Sequence, residues 1–134
     1  MKKQTLVVLV VLVSLILVIG SSGLFESLLT SFSLGFSHKA FLSIKEGDTL
    51  SKVYKELGPP LDFTVIPYDA NVIPNNPLRR TNMKEMFEFA LNGRDSILMR
   101  YSGPKRKQLD NYKAYEIVIR GDRIVQKSSY WYRD

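Results

Sequence analysis

The sequence predicts an α+β domain in which short helices pack on one face of a three-stranded antiparallel sheet, preceded by an N-terminal transmembrane or signal segment. Three observations lead to this fold class. Residues 6–19 are almost entirely apolar, and two later segments carry apolar residues at helical spacing. The last third of the chain alternates apolar and polar side chains, as strands do. The 134 residues suffice for one such domain.

The N-terminal segment indicates export. Lys2 and Lys3 precede the apolar run, and residues 4–25 carry no charge, a length that spans a hydrocarbon core of about 30 Å. The apolar core also has the length of a cleaved signal peptide, with small residues at positions 20–23 for cleavage. Residues 1–23 are therefore a signal anchor or a signal peptide. Both place the domain outside the cytoplasm: in the periplasm on the bacterial inner membrane, or exported and soluble after cleavage.

Composition excludes several classes of protein. The chain has no cysteine, which excludes disulfide scaffolds, thiolate metal sites and thiol catalysis. The single histidine, His38, excludes a multi-histidine metal site, and no phosphate loop, dinucleotide fingerprint or nucleophile-elbow motif is present. We therefore expect a protein that is not an enzyme and that binds no cofactor.

The charge balance points to an anionic partner. The chain has 19 basic and 13 acidic residues, a formal net charge of +6. Because an exported domain does not meet nucleic acid, we expect attraction to membrane phosphates or to an acidic protein instead. Lys105, Arg106 and Lys107 form a basic run in a loop, which is either a solvated loop tip or an anionic-lipid-binding site.

Residues 24–38 are predicted to be a juxtamembrane stalk or an amphipathic helix, and residues 38–45 a short extended segment. The first helix is predicted over residues 50–57. Asp48 or Thr49 can cap its start, and Gly58 with Pro59 ends it. Its apolar stripe consists of Leu50, Val53, Tyr54 and Leu57.

Residues 61–80 are predicted to be irregular because prolines occur at positions 67, 74 and 77. A second helix follows, in which Asn82 is the N-cap and Glu85 completes a capping-box pattern. Asn92 and Gly93 end it. The face expected in the core consists of Met83, Met86, Phe87, Ala90 and Leu91.

The C-terminal third predicts three strands over residues 96–101, 112–120 and 123–132. The last two form a hairpin around Gly121-Asp122, a two-residue turn with glycine first, as type II′ requires. This register pairs Ile119 with Ile124, Val118 with Val125, and Glu116 with Lys127. The predicted buried face consists of Tyr115, Ile117, Ile119 and Ile124.

The other face of the hairpin is the predicted partner-binding surface, and it consists of Tyr112, Val118, Val125 and Trp131. The adjacent aromatic run, residues 130–132, is the strongest interaction candidate in the chain. Such residues are enriched at interfaces, although they also close small cores.

The segment Ile44-Lys45-Glu46-Gly47-Asp48-Thr49, Val53 and Leu57-Gly58-Pro59-Pro60 resembles the signature of the SmpA/OmlA (BamE-like) family, which has a β-lactamase-inhibitor-protein-like fold. Tyr101, residues 115–119, Gly121 and residues 124–125 resemble the aromatic strand and closing hairpin of that family. The likeness covers about residues 39–60 and 96–132. Outer-membrane members carry a lipidated cysteine after the signal, which this chain lacks, and residues 61–95 are an insertion relative to the family pattern.

The chain is therefore predicted to have three segments: residues 1–23 as anchor or signal, 24–38 as stalk, and 39–134 as the SmpA/OmlA-like domain. Together with the export signal and the lack of catalytic groups, the resemblance implies a non-enzymatic, membrane-anchored envelope accessory that binds other envelope proteins, in outer-membrane protein assembly or envelope integrity. The alternative is an exported inhibitor-like or sensor module that binds an enzyme or a ligand through its exposed sheet face.

Overall fold

The computed structural model describes residues 8, 10–14, 26–68, 78–105 and 111–133. Its named elements in chain order are β1 (Thr30–Phe32), α1 (His38–Ser43), α2 (Leu50–Leu57), β2 (Asp62–Ile66), α3 (Met83–Asn92), β3 (Ser96–Arg100), β4 (Ser102–Pro104), β5 (Tyr112–Arg120) and β6 (Arg123–Tyr132). A four-stranded sheet has the order β2-β3-β5-β6 and a two-stranded sheet pairs β1 with β4, all antiparallel. The mixed α+β class is confirmed, but the main sheet has four strands, not three.

The additional strand, β2, lies in the segment predicted to be irregular. All three prolines that motivated that prediction lie after Ile66. Residues 62–66 contain none, and four of the five are aromatic or β-branched, which favours a strand. The strand pairs with β3 from Asp62 opposite Arg100 to Ile66 opposite Ser96.

The start of the domain also differs from the prediction. Residues 38–43 are helical instead of extended, because the Ser37 hydroxyl caps α1 by accepting the N–H of Ala40 at 3.4 Å. Upstream of it, β1 is hydrogen-bonded to β4, and Phe32 and Phe36 pack against the core. Residues 30–37 are therefore part of the packed domain and not a stalk, so the domain does not begin at residue 39.

The membrane segment predicted over residues 1–23 lies largely outside the described residues. Residues 10–14 are helical. In the described part of the chain, no helix combines the length and the apolar character that a bilayer crossing needs.

Both predicted helices are present with their predicted ends. The Thr49 hydroxyl caps α2 by accepting the N–H of Lys52 at 3.2 Å, and Gly58 follows with a φ of +72°. The Asn82 side chain caps α3, and Gly93 ends it in the left-handed conformation. One residue of the predicted buried face is misplaced, because Leu91 is exposed near the C-terminal end of α3.

The core lies between the three helices and one face of the main sheet. The helices contribute Phe41, Leu50, Val53, Leu57, Met86 and Ala90 to it, and Ile44 follows α1. The sheet contributes Phe63, Ile97, Met99, Tyr115, Ile117, Ile119 and Ile124, and Tyr101 follows β3. All four hairpin residues predicted to be buried are buried.

The β5–β6 hairpin has the predicted boundaries and turn. Gly121 has a φ of +60° and Asp122 does not have a positive φ, as in a type II′ turn. Ile119 lies opposite Ile124 as predicted, but a β-bulge follows, and Val118 lies opposite Gln126. The extra residue, Val125, shifts every later pair by one position. The predicted pairs of Val118 with Val125 and of Glu116 with Lys127 are therefore wrong, and Glu116 lies opposite Ser128.

Candidate protein-binding surface

The four residues predicted to form one partner-binding face do not share a face. Successive strand residues point to opposite sides, so the one-residue shift at the bulge reverses the side chains of β6 relative to the prediction. Tyr112 lies opposite Tyr132, whereas Trp131 lies opposite Lys113 on the other side of the sheet. Tyr112 is also buried, with 7% of its surface exposed. The surface predicted from the uninterrupted register is therefore not formed.

The structure points instead to the free edge of β6. Within the described residues, β6 is the last strand of the main sheet. Near the hairpin turn this edge is covered, because the Ile124 N–H donates to the Asp48 carbonyl and the Ile124 carbonyl accepts the N–H of Gly47, both at 2.9 Å. Beyond Ile124, the named strands leave the edge open.

The orientation of the open backbone groups follows from the partners of β5. The Lys113 N–H donates to Thr30 Oγ1 at 2.9 Å, and the Tyr115 N–H donates to Ser102 Oγ at 2.8 Å. The backbone N–H and C=O groups of both residues therefore point away from β6. In an antiparallel pair the opposing residues then also face outward. Those residues are Trp131 and Ser129. Their N–H and C=O groups point to the open side of the sheet.

Aromatic side chains accompany these backbone groups. Tyr130, Trp131 and Tyr132 are 42%, 39% and 39% exposed. The Tyr132 ring stacks on Tyr112 with centroids 5.2 Å apart, and the Lys113 ammonium lies 5.8 Å from the Trp131 ring centroid. The end of β6 therefore combines open hydrogen-bonding groups with large side chains on both faces of the sheet.

A row of paired charges crosses the outer face of the sheet behind this edge. Arg100, 7% exposed, donates through Nη1 to Asp62 Oδ1 at 2.5 Å and to Thr64 Oγ1 at 3.1 Å. Its Nε lies 3.8 Å from Glu116 Oε1. Because a carboxylate lies on each side of the guanidinium, the charge of this buried cation is compensated.

The same row positions one of the aromatic residues. The Tyr130 hydroxyl donates to Glu116 Oε2 at 3.0 Å, and burial together with the Glu116 charge raises the pKa of Tyr130. Strand pairing places Asp62, Arg100 and Glu116 side by side. Sequence reasoning missed this row because β2 was not predicted, and without β2 the Asp62 carboxylate has no assigned neighbour.

The predicted anionic-lipid site is described only at its first residue. The Lys105 N–H donates to the Leu29 carbonyl at 2.9 Å, and its Nζ donates to the Ser27 carbonyl at 3.1 Å. Lys105, which follows β4, is thus hydrogen-bonded to the segment before β1. Arg106 and Lys107 lie outside the described residues, so lipid binding by this loop stays a prediction.

The acidic side chains and a cavity of the described residues are two further candidate sites. No three His, Asp or Glu side chains among them come together as metal ligands would. A cavity of about 240 Å³ is lined by Pro67, Tyr68, Arg94 and Asp95. The backbone N–H of Tyr68 donates a hydrogen bond to Asp95 Oδ1 at 3.2 Å, so the carboxylate of this cavity already has a partner.

Comparisons of the chain with protein-family models, with curated proteins and with solved structures found no match. The resemblance to the SmpA/OmlA family therefore stays a prediction from the residues that carry it.

Proposed function

We propose that this protein is a non-enzymatic accessory of the bacterial cell envelope, held at the inner membrane by its N-terminal apolar segment, that binds an extended segment of another envelope protein along β6. The free edge of β6 is the observation that supports this proposal most directly. The resemblance to the SmpA/OmlA family supports a place in outer-membrane protein assembly or envelope integrity.

A partner peptide that adds to the sheet as a further strand should pair with the second half of β6. Natural sheets protect their edges with bulges and lysines. The first half of β6 has a bulge at Val125, and the Lys127 ammonium there donates to the carbonyls of Phe41 and Ile44. Residues 128–132 have neither device. A peptide paired there would gain main-chain hydrogen bonds at Ser129 and Trp131 and contacts with the exposed aromatic side chains.

The charge of β6 favours an acidic partner segment. Residues 123–134 contain three basic residues, Arg123, Lys127 and Arg133, and one acidic residue, Asp134. Complementary charge raises the rate of encounter and suppresses binding to basic segments. We therefore expect the bound segment to be extended and acidic, with apolar residues that meet Trp131 or the tyrosines.

In-cell photo-crosslinking of a C-terminally tagged full chain tests this proposal. A photoreactive amino acid replaces Ser129 on the open edge, and a control chain carries it at Leu91, which is exposed on α3. We expect Ser129, and not Leu91, to capture a defined set of envelope proteins, identified by mass spectrometry. Equal capture from both positions would contradict binding at β6.

A matched pair of substitutions separates the backbone edge from the side chain. Ser129→Pro removes an N–H that faces away from β5, so the hairpin is preserved while strand addition is blocked. Ser129→Ala removes the hydroxyl and leaves the edge intact. With the photoreactive amino acid moved to Trp131 in both variants, capture should fall about two- to tenfold in Ser129→Pro and persist in Ser129→Ala, since one lost hydrogen bond costs about 0.5–1.5 kcal/mol.

The identity of the captured protein decides the role. Components of outer-membrane protein assembly would support the accessory function. Capture of one soluble enzyme would support the inhibitor-like alternative at the same edge.

Carbonate extraction and protease accessibility of spheroplasts test the anchor separately, since an anchored periplasmic domain stays in the membrane pellet and is digested from outside.

A further inference from the structure

The two sides of the open β6 edge differ in their charged groups. Side chains alternate along a strand, so Lys113 on β5 shares a side of the sheet with Tyr115, which is part of the core. Trp131 lies opposite Lys113 in the ladder and therefore on that same side. Tyr130 lies on the other side, where its hydroxyl donates to Glu116 Oε2 at 3.0 Å. A strand added to β6 would thus present alternate residues to a lysine and to a glutamate.

The Lys113 ammonium is positioned next to the open edge. It lies 5.8 Å from the centroid of the Trp131 ring, a distance at which a cation is attracted to the face of an indole. None of the ion pairs among the described residues involves Lys113. Neighbouring strands lie about 4.8 Å apart, so a strand added to β6 brings its side chains up to the Trp131 ring and the ammonium beside it.

Two other charged groups on the Trp131 side, Lys127 and Glu26, already have partners. The Lys127 ammonium donates to two backbone carbonyls at the end of α1, at 2.8 and 2.6 Å. Glu26 Oε1 accepts the Tyr115 hydroxyl at 2.7 Å. A carboxylate of the partner could therefore pair with Lys113 without breaking an existing ion pair.

The Tyr130 side of the edge disfavours a carboxylate. Glu116 lies there, and its Oε1 is 3.8 Å from the Nε of Arg100, which also pairs with Asp62. A further carboxylate on this side would add repulsion with Glu116, since like charges on neighbouring strands are destabilising. Uncharged side chains that pack against the exposed rings of Tyr130 and Tyr132 fit this side better.

We propose that Lys113 determines which strand binds β6: a segment in which acidic residues alternate with uncharged ones, so that its carboxylates all lie on the Trp131 side. This inference rests on the proposed function, because it names the residue pattern of the partner at the same edge. It requires more than net acidity. A segment of equal charge whose acidic residues are adjacent would place one of each pair on the side of Glu116.

Titration of the full chain in detergent micelles with two synthetic peptides tests this inference. Both have about twelve residues, blocked ends and the same numbers of glutamate, valine and threonine residues. Glutamate occupies every second position in the first peptide, and the glutamates are adjacent in pairs in the second. Neither contains tryptophan, so the fluorescence of Trp131, the single tryptophan of the chain, reports binding. The alternating peptide should bind about three to ten times more tightly.

Charge reversal assigns this preference to Lys113. Lys113→Glu should weaken binding of the alternating peptide about three- to tenfold and remove its advantage over the paired peptide. Lys113→Arg keeps the charge and should keep the advantage. Lys84→Glu, at an exposed position on α3, makes the same change in net charge and should leave the ratio of the two affinities unchanged.

The outcomes separate this inference from the proposed function. Ser129→Pro should weaken the binding of both peptides alike, because it removes a hydrogen-bond donor of the edge. Equal affinities for the parent chain, or an advantage that survives in Lys113→Glu, would overturn the role of Lys113 and leave strand addition standing. Unchanged Trp131 fluorescence with both peptides would contradict strand addition, and the proposed function with it.

Discussion

Replacing Gly58 by alanine should destabilise the domain through two separate effects. Gly58 has φ +72° and ψ −166°, a region of backbone conformation that is essentially restricted to glycine and that costs other residues about 1–3 kcal/mol. A Cβ at this position would also lie 2.8 Å from the backbone oxygen of Leu34. A backbone oxygen cannot rotate away as a side chain can, so the turn at residues 34–35 must move.

The expected loss is about 2–4 kcal/mol in the free energy of unfolding. Displacement of a packed neighbour typically costs about 1–3 kcal/mol. Alanine recovers about 0.4–1 kcal/mol by restricting the unfolded chain. The net loss is a large part of the roughly 5–15 kcal/mol by which native domains are stable.

Gly47 provides the matched control. It has a φ of +88°, but a Cβ there would meet nothing within 4 Å, so Gly47→Ala tests the backbone cost alone. Urea unfolding followed by the fluorescence of the single tryptophan, Trp131, measures both variants. Gly58→Ala should be less stable than Gly47→Ala by at least about 1 kcal/mol. Equal losses would refute the close approach of residues 34 and 58.

Two other predictions concern buried polar groups. Arg100→Met should lower the free energy of unfolding by up to about 3–5 kcal/mol, because it leaves Glu116 without its cation and leaves Asp62 with only Arg79, whose Nη1 lies 3.7 Å from Asp62 Oδ2; Lys52→Met, at an exposed pair, should change the urea midpoint little. A loss no larger than that of Lys52→Met would contradict the paired row. Burial raises the pKa of Tyr101 and Tyr115, so folding favours the neutral phenols and their stabilising contribution is lost as the pH rises above about 10. The urea midpoint should fall between about pH 8 and about pH 11, and tyrosinate absorbance should show phenols that ionise only on unfolding; ionisation of every tyrosine near pH 10 with an unchanged midpoint would contradict this.

Local sequence signals predicted the elements whose ends depend on neighbouring residues. The caps at Thr49 and Asn82 and the turn at Gly121 each act within a few positions, so the helix and hairpin ends agree with the structure. Strand β2 was not predicted because the prolines at positions 67, 74 and 77, which all follow it, indicated an irregular structure for the whole of residues 61–80. Helix α1 was not predicted because it has only six residues, and the N-cap at Ser37 that marks its start was overlooked.

The candidate surface depended on register, which local signals do not determine. The apolar residues of β5 and β6 fit a regular hairpin, and they fit one with an extra residue at Val125 equally well. The bond between Glu26 and Tyr115 joins positions 89 apart, beyond the reach of any spacing rule. The edge position of β6 was likewise decided by β2 adding to the far side of the sheet.

The bulge at Val125 makes the orientation of the chain end depend on one backbone irregularity and not on the composition of β6. If the same residues paired without the bulge, Trp131 would lie opposite Tyr112, and Tyr130 would move to the core side of the sheet, away from Glu116. Two homologous chains that differ only in whether this bulge forms would share the fold but present opposite faces to a partner. Substitutions that form or remove the bulge are therefore a route by which binding specificity can change in one step.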